Sequence, residues 1–154
     1  MKTTLSSPSK AQPLVVLRET AFFGDLGIER LDRIAALTRL QECGEGEQIY
    51  RIGEPADTMY VLMQGMVRLA IGLGGRYASA GDILRRGDVF GWAALTPSSR
   101  VRIATASGVT PCTFLAIDGA GLAALMEADH TLGYRVMTQL NRLVTGTLTT
   151  FAAG

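Results

Sequence analysis

Between residues 43 and 118 the chain breaks into short apolar runs separated by glycines, at 44, 46, 53, 65, 72, 74, 75, 81, 87 and 91. Runs such as "QIYRI", "TMYVLMQ", "MVRLAI", "RYASA", "DILRR", "VRIATAS" and "CTFLAI" are rich in Ile, Val, Tyr and Met and too short for helices. "GEPAD" and "QG" read as the turns between them. About eight short strands with such frequent turns favour a barrel or double-sheet jelly roll over alternating βαβ units.

Helical patterns flank this region. In residues 26–40, Ile28, Leu31, Ile34, Ala35, Leu37 and Leu40 recur at helical spacing, which predicts one N-terminal helix. After the strands, "GAGLAALMEAD" predicts a short helix and residues from Thr131 a longer one. In the longer helix Met137, Leu140, Val144, Thr147 and Phe151 form a heptad-like stripe. Packing on the protein's own roll and pairing with a partner helix explain that stripe equally well. Residues 1–20 are expected to be a flexible segment and residues 21–154 a single domain, with the roll at about 43–118 and the closing helices at about 119–152.

Composition narrows the function. Fifteen Lys+Arg against fourteen Asp+Glu leave a net charge of +1, with no basic stripe of the kind nucleic acid requires. Arg85, Arg86, Arg100 and Arg102 are scattered and read equally well as a solvated face. Cys43 and Cys112 lack metal-ligand spacing and are read as reduced and structural, which makes a cytoplasmic setting the expectation. His130 has no Cys or His near it, against a zinc site. The apolar run at residues 14–17 is too short for a signal core or a membrane span. No nucleophile–base pair or paired carboxylate converges, so no enzyme and no cofactor are expected; Glu54, Asp82 and Asp88 read as turn chemistry.

Several segments together resemble the cyclic nucleotide-binding domain of catabolite-activator-type regulators, cyclic-nucleotide-dependent kinases and gated channels. They are "GEQIYRIGEPADTMYVLMQGMVRLAI", "GDVFGWAAL", "RIAT" and "LAID", and the likeness covers roughly residues 22–151. The resemblance implies a mainly β fold, an eight-stranded jelly-roll β-barrel with an N-terminal helix and two C-terminal helices. It also implies a phosphate cassette, in which backbone N–H groups at a helix N-terminus meet a cyclic phosphate. Gly91, Ala93 and Ala94 take that role here, Leu95 closes the turn, and Arg102 matches the phosphate-binding arginine. The plainer reading of Arg102 is a surface arginine on an edge strand.

Two positions depart from the family pattern. Trp92 stands where the family carries a glutamate for the ribose 2′-hydroxyl, and indole accepts no hydrogen bond. Ile103 stands where the family has Ser or Thr. Trp92 has three open readings: an outward lid, an inward plug of the ribose space, or the wall of a site for another anion. Thr147 falls where the family's C-terminal helix brings a threonine to the base, although Thr145, Thr149 and Thr150 offer equivalent hydroxyls.

The expected function is a stand-alone sensor of cAMP, cGMP or a related phosphate ligand. It would signal to a protein partner or a second copy through its C-terminal helix, with no direct contact to nucleic acid or membrane. With no helix-turn-helix after the last helix, transcription control would need a separate partner. The alternative is an interaction or dimerisation scaffold that binds no nucleotide, its pocket filled by Trp92.

Overall fold

The computed structural model describes residues 3–4, 11–73, 76–96 and 100–153, with backbone alone at 3–4, 11, 71–73, 76–82 and 147–153. Among the described residues nine strands form two antiparallel sheets. They are β1 (Thr3–Thr4), β2 (Thr38–Cys43), β3 (Gln48–Tyr50), β4 (Thr58–Gln64), β5 (Val67–Leu73), β6 (Arg76–Leu84), β7 (Val89–Phe90), β8 (Ala104–Gly108) and β9 (Cys112–Asp118). One sheet runs β1-β2-β9-β4-β7 and the other β3-β8-β5-β6. The expected eight-stranded barrel is therefore an open roll of two sheets. "RYASA" and "DILRR", read as separate strands, join in β6, because β5 pairs along its length with a register shift in the middle.

Four helices accompany the sheets: α1 (Ala11–Glu19), α2 (Ile28–Ala35), α3 (Gly119–Ala128) and α4 (His130–Ala153). Two expectations are corrected at the N-terminus. Residues 11–19 form a helix that buries Val16 and Leu17, so the expected flexible segment contributes to the core. The single helix expected over residues 26–40 stops at Ala35, where the Thr38 hydroxyl donates to the Ala35 carbonyl (2.7 Å). Residues 38–43 then form β2, with Thr38 opposite Ile117 and Leu40 opposite Leu115. Cross-strand pairing outweighs the helical spacing of Leu37 and Leu40.

The central strands are apolar on both faces because they lie between two cores. In β4, Met59, Val61 and Met63 face the helices, while Tyr60 and Leu62 face the second sheet. In β9 the division is Leu115 and Ile117 against Phe114 and Ala116. Side chains alternating across a strand make one apolar run serve two layers. Between the sheets, Tyr60 stacks on Phe90 (centroids 5.1 Å apart) and meets Phe114 edge-on at 5.3 Å.

On α4 the inward face is Leu132, Val136 and Leu140, with Leu143 and Val144 partly buried against the same core. Of the expected stripe, Leu140 and Val144 pack on the protein's own core, whereas Met137 is 37% exposed. The side chains of Thr147 and Phe151 lie outside the described residues.

Candidate functional site

Strand β7 is followed by Gly91, whose φ of 74° is in the left-handed region that favours glycine. A Cβ there would stand 2.8 Å from Tyr60 Cδ2, 3.0 Å from Arg102 Nη1 and 3.2 Å from the Thr58 carbonyl. The residue must therefore be glycine on two counts, conformation and space. One turn of 3-10 helix follows, Trp92–Leu95, in which Ala93, Ala94 and Leu95 are buried. Its first closing bond runs from the Ala94 N–H to the Gly91 carbonyl (3.3 Å), so the amides of Trp92 and Ala93 precede the turn's internal bonding. The Thr96 hydroxyl donates to the Ala93 carbonyl at 2.8 Å and closes the turn.

Arg102 is held beside this turn by backbone bonds to the 53–54 loop: its N–H donates to the Glu54 carbonyl and its own carbonyl accepts from Gly53, both at 2.8 Å. The local order of exposure is the reverse of a usual strand. Val101 and Ile103 are 44% and 42% exposed, while Arg102 between them is 4% exposed. The surface-arginine reading is thereby excluded.

The guanidinium donates from Nη1 to the Gly91 carbonyl (2.9 Å) and from Nη2 to the Thr58 carbonyl (2.6 Å). Its carbon lies 4.1 Å from the Tyr50 ring centroid and 5.7 Å from that of Tyr60. Among the described residues Nε is buried without a hydrogen-bond partner. Among the described residues no carboxylate pairs with Arg102. Burial pushes the Tyr50 hydroxyl above the usual tyrosine range, with the neighbouring Arg102 charge pulling the other way.

Gly91, Trp92, Ala93, Arg102 and Ile103 line one cleft with Tyr50, Leu69 and Ala104; its cavity volume is about 30 Å³, room for roughly one water molecule, and beyond that it opens to solvent. Ala94 is buried and does not line the cleft; a Cβ on Gly119, at the start of α3, would stand 3.1 Å from the Ala94 Cβ. Trp92 is half-buried and does two things: it forms part of the cleft wall and packs against the apolar cluster under the helices. Thr147 lies on α4, but its side chain is outside the described residues.

Sequence reasoning passed over Tyr50, Leu69, Ala104 and the Thr58 carbonyl. Tyr50 carried only its place in the short run "QIYRI", which marks a strand and not its role beneath an arginine. Among the described residues no three His, Cys, Asp or Glu side chains gather to hold a metal ion. No described helix is long and apolar enough to cross a membrane.

Residues 40–129 match the model of the cyclic nucleotide-binding domain, so this chain belongs to that family. A putative potassium channel protein from Rhodopseudomonas palustris is 28% identical over 125 residues, spanning 80% of this chain and 28% of the channel's length. Among solved structures, a putative cyclic nucleotide-binding protein from Geobacter metallireducens superposes with a TM-score of 0.75 at 23% identity, covering 92% of this chain and 98% of that one. The regulatory domain of Toxoplasma gondii PKA, crystallised with cAMP, also gives 0.75 at 19% identity, covering 89% of this chain and 50% of that one. These two likenesses establish the fold.

Proposed function

We propose that this chain is a regulatory module, not an enzyme, that senses a small phosphate-bearing ligand of the cyclic nucleotide class in the Gly91–Arg102 cleft. The observation that carries this reading is Arg102, a guanidinium 4% exposed with no countercharge among the described residues. An unpaired buried charge is costly, and an anion in the cleft supplies the missing partner. Arginine has five N–H donors, of which two go to carbonyls here, leaving donors for phosphate oxygens. The amides of Trp92 and Ala93 add a backbone contribution.

Ribose recognition is weaker than in the family pattern. Without the glutamate acceptor, a 2′-hydroxyl loses a partner at a cost of ~1–3 kcal/mol, roughly ten- to hundredfold in affinity. Trp92 also supplies the output. It touches both the cleft and the cluster containing Leu122, Leu132, Val136 and Leu140, so a ligand that moves the indole changes the seating of α3 and α4. The helices would then alter a contact with a protein partner or a second copy in the cytoplasm. The ligand shifts that balance only by its differential affinity for the two helix positions.

Trp92 is the sole tryptophan, so titration with cAMP and with cGMP is followed by its emission and by calorimetry. A saturable change that is lost in Arg102→Gln is expected. The absence of heat and of emission change up to millimolar concentrations of both nucleotides would refute the reading for them. The packing of Trp92 into the helical cluster also suits a scaffold whose pocket the indole fills. For a scaffold, Trp92→Ala costs stability and neither form binds nucleotide.

A further inference from the structure

Cys43 ends β2 and Cys112 begins β9, and the register of these antiparallel strands sets the two residues directly opposite one another. Opposed residues in such a ladder have Cα atoms about 4.5–5.5 Å apart and side chains on the same face. That separation lies inside the window of about 4.4–6.8 Å that a disulfide requires. Both cysteines are reduced, each is 3% exposed, and both belong to the cluster between the sheets.

Each thiol is buried against a glycine. A Cβ on Gly65 would stand 3.0 Å from the Cys112 sulfur, and one on Gly108 would stand 3.5 Å from the Cys43 sulfur. The Cys43 thiol donates to the Glu47 carbonyl at 3.3 Å, and the Cys112 thiol to the Thr110 and Met66 carbonyls at 3.0 and 3.1 Å. These are weak donors whose bonds yield to a rotation of the side chain. An open groove of about 600 Å³ is lined by both cysteines together with Gly44, Gly65 and Pro111, and admits a small reagent.

We propose that Cys43 and Cys112 form an oxidisable dithiol site, closed to an intramolecular disulfide by a small disulfide oxidant such as glutathione disulfide. One cysteine loses its proton and its thiolate attacks the oxidant's S–S bond, forming a mixed disulfide and expelling one glutathione thiolate. The second cysteine, deprotonated in turn, attacks the cysteine sulfur of that mixed disulfide and expels the second glutathione. Two cysteine thiols are oxidised, one glutathione disulfide is reduced to two thiols, and those thiols carry away both protons. Burial pushes the Cys112 thiol above its ordinary range, which makes the exchange faster toward alkaline pH.

The bridge would staple β2 to β9 at the end of β9 away from the ligand turn. The rest of β9, about 20 Å of strand, separates Cys112 from Asp118 and the Gly119–Ala94 contact. Closing a long loop restricts the unfolded chain, so oxidation stabilises the fold without touching the cleft. The inference does not depend on any nucleotide being bound.

The test incubates the folded full chain with glutathione disulfide at mildly alkaline pH, then denatures, alkylates and weighs it. The expected product is a monomer lighter by two hydrogens, refractory to alkylation, with a proteolytic fragment joining Cys43 to Cys112. Its Tm should rise by about 5–15 °C. Cys43→Ala and Cys112→Ala should each fail to give the lighter monomer. The proposal is overturned if both thiols of the folded protein stay alkylatable at equilibrium. It is equally overturned if only mixed disulfides or intermolecular dimers form, or if the bridged monomer melts no higher than the reduced one.

Discussion

Replacing Gly91 with alanine tests the cleft and the turn at once, and Gly87→Ala supplies its internal control. Both glycines have positive φ, 74° at Gly91 and 90° at Gly87. An L-residue in the left-handed region costs roughly 1–2 kcal/mol, and that penalty is common to the two sites. Only Gly91 has neighbours in the way: Tyr60 Cδ2, Arg102 Nη1 and the Thr58 carbonyl would all lie within 3.2 Å of the new methyl, whereas nothing lies within 4 Å at Gly87. Tyr60 is 2% exposed and stacked on Phe90, so it has no free direction of retreat. Overpacking of this kind adds about 1–3 kcal/mol. The expected cost is therefore about 2–5 kcal/mol for Gly91→Ala and about 1–2 kcal/mol for Gly87→Ala. Urea unfolding followed by far-UV circular dichroism measures both, with an unchanged m-value as the sign that the unfolded state is the same. At this chain length each kcal/mol lowers Tm by about 2–4 °C, so the two variants separate clearly in a melt. If Gly91→Ala proves no more destabilising than Gly87→Ala, the close packing of Tyr60 and Arg102 around the turn is wrong, and the cleft with it.

Two pH-dependent predictions follow. The Tyr50 hydroxyl titrates higher in the folded chain than in the unfolded one, so its contribution is complete below about pH 10 and is lost as pH rises beyond that, by about 1.4 kcal/mol per pH unit; Tyr50→Phe should flatten the alkaline limb of a stability–pH curve, and an unchanged limb would count against the burial of that hydroxyl. Asp129 accepts from Arg30 Nε at 2.7 Å and from the Leu132 N–H at 3.2 Å, and the Arg30 bond chiefly holds its carboxyl below the ordinary range. The stability this carboxylate contributes is present above about pH 4 and is lost as pH falls through its lowered value, so the melting difference between wild type and Asp129→Asn should shrink in acid; a difference independent of pH would refute the assignment.

The sequence carried the fold where residues answer to local rules, and lost it where partners lie far along the chain. The short, nearly continuous apolar runs "TMYVLMQ" and "CTFLAI" mark strands, and the structure places each between two cores. "TRLQEC" was misread because Leu37 and Leu40 continue a helical spacing, and only β9 shows that Thr38 and Leu40 have strand partners. Residues 11–19 were expected to be flexible because their apolar run is only four residues long, and its burial needs α2 and the first sheet to be in place. The opposition of Cys43 and Cys112 likewise exists only in the register of β2 with β9. In the cleft, the Gly91 turn was legible through the family resemblance carried by "GDVFGWAAL" and "RIAT". Tyr50 was not, because a tyrosine stacked under an arginine is spelled no differently from one packed in a sheet.

Arg102 shows why the fold and the ligand have to be argued separately. Val101 and Ile103 lie on the solvent side so that an arginine can turn inward, an arrangement hydrophobic burial alone would reverse. The roll has abundant apolar residues for that position, and an apolar core is commonly as stable as a buried charge or more so. What the arginine adds is a positive charge beside a glycine turn, over an aromatic ring and in an open cleft. Trp92 and Ile103 stand where the resemblance implies polar groups for a ribose and a phosphate, yet neither one neutralises the guanidinium. On the proposed reading, specificity in this cleft is therefore more easily altered than a preference for an anion: changing the former needs only residues at the wall and rim, while changing the latter means replacing Arg102, which also bonds the Gly91 and Thr58 carbonyls that shape the turn.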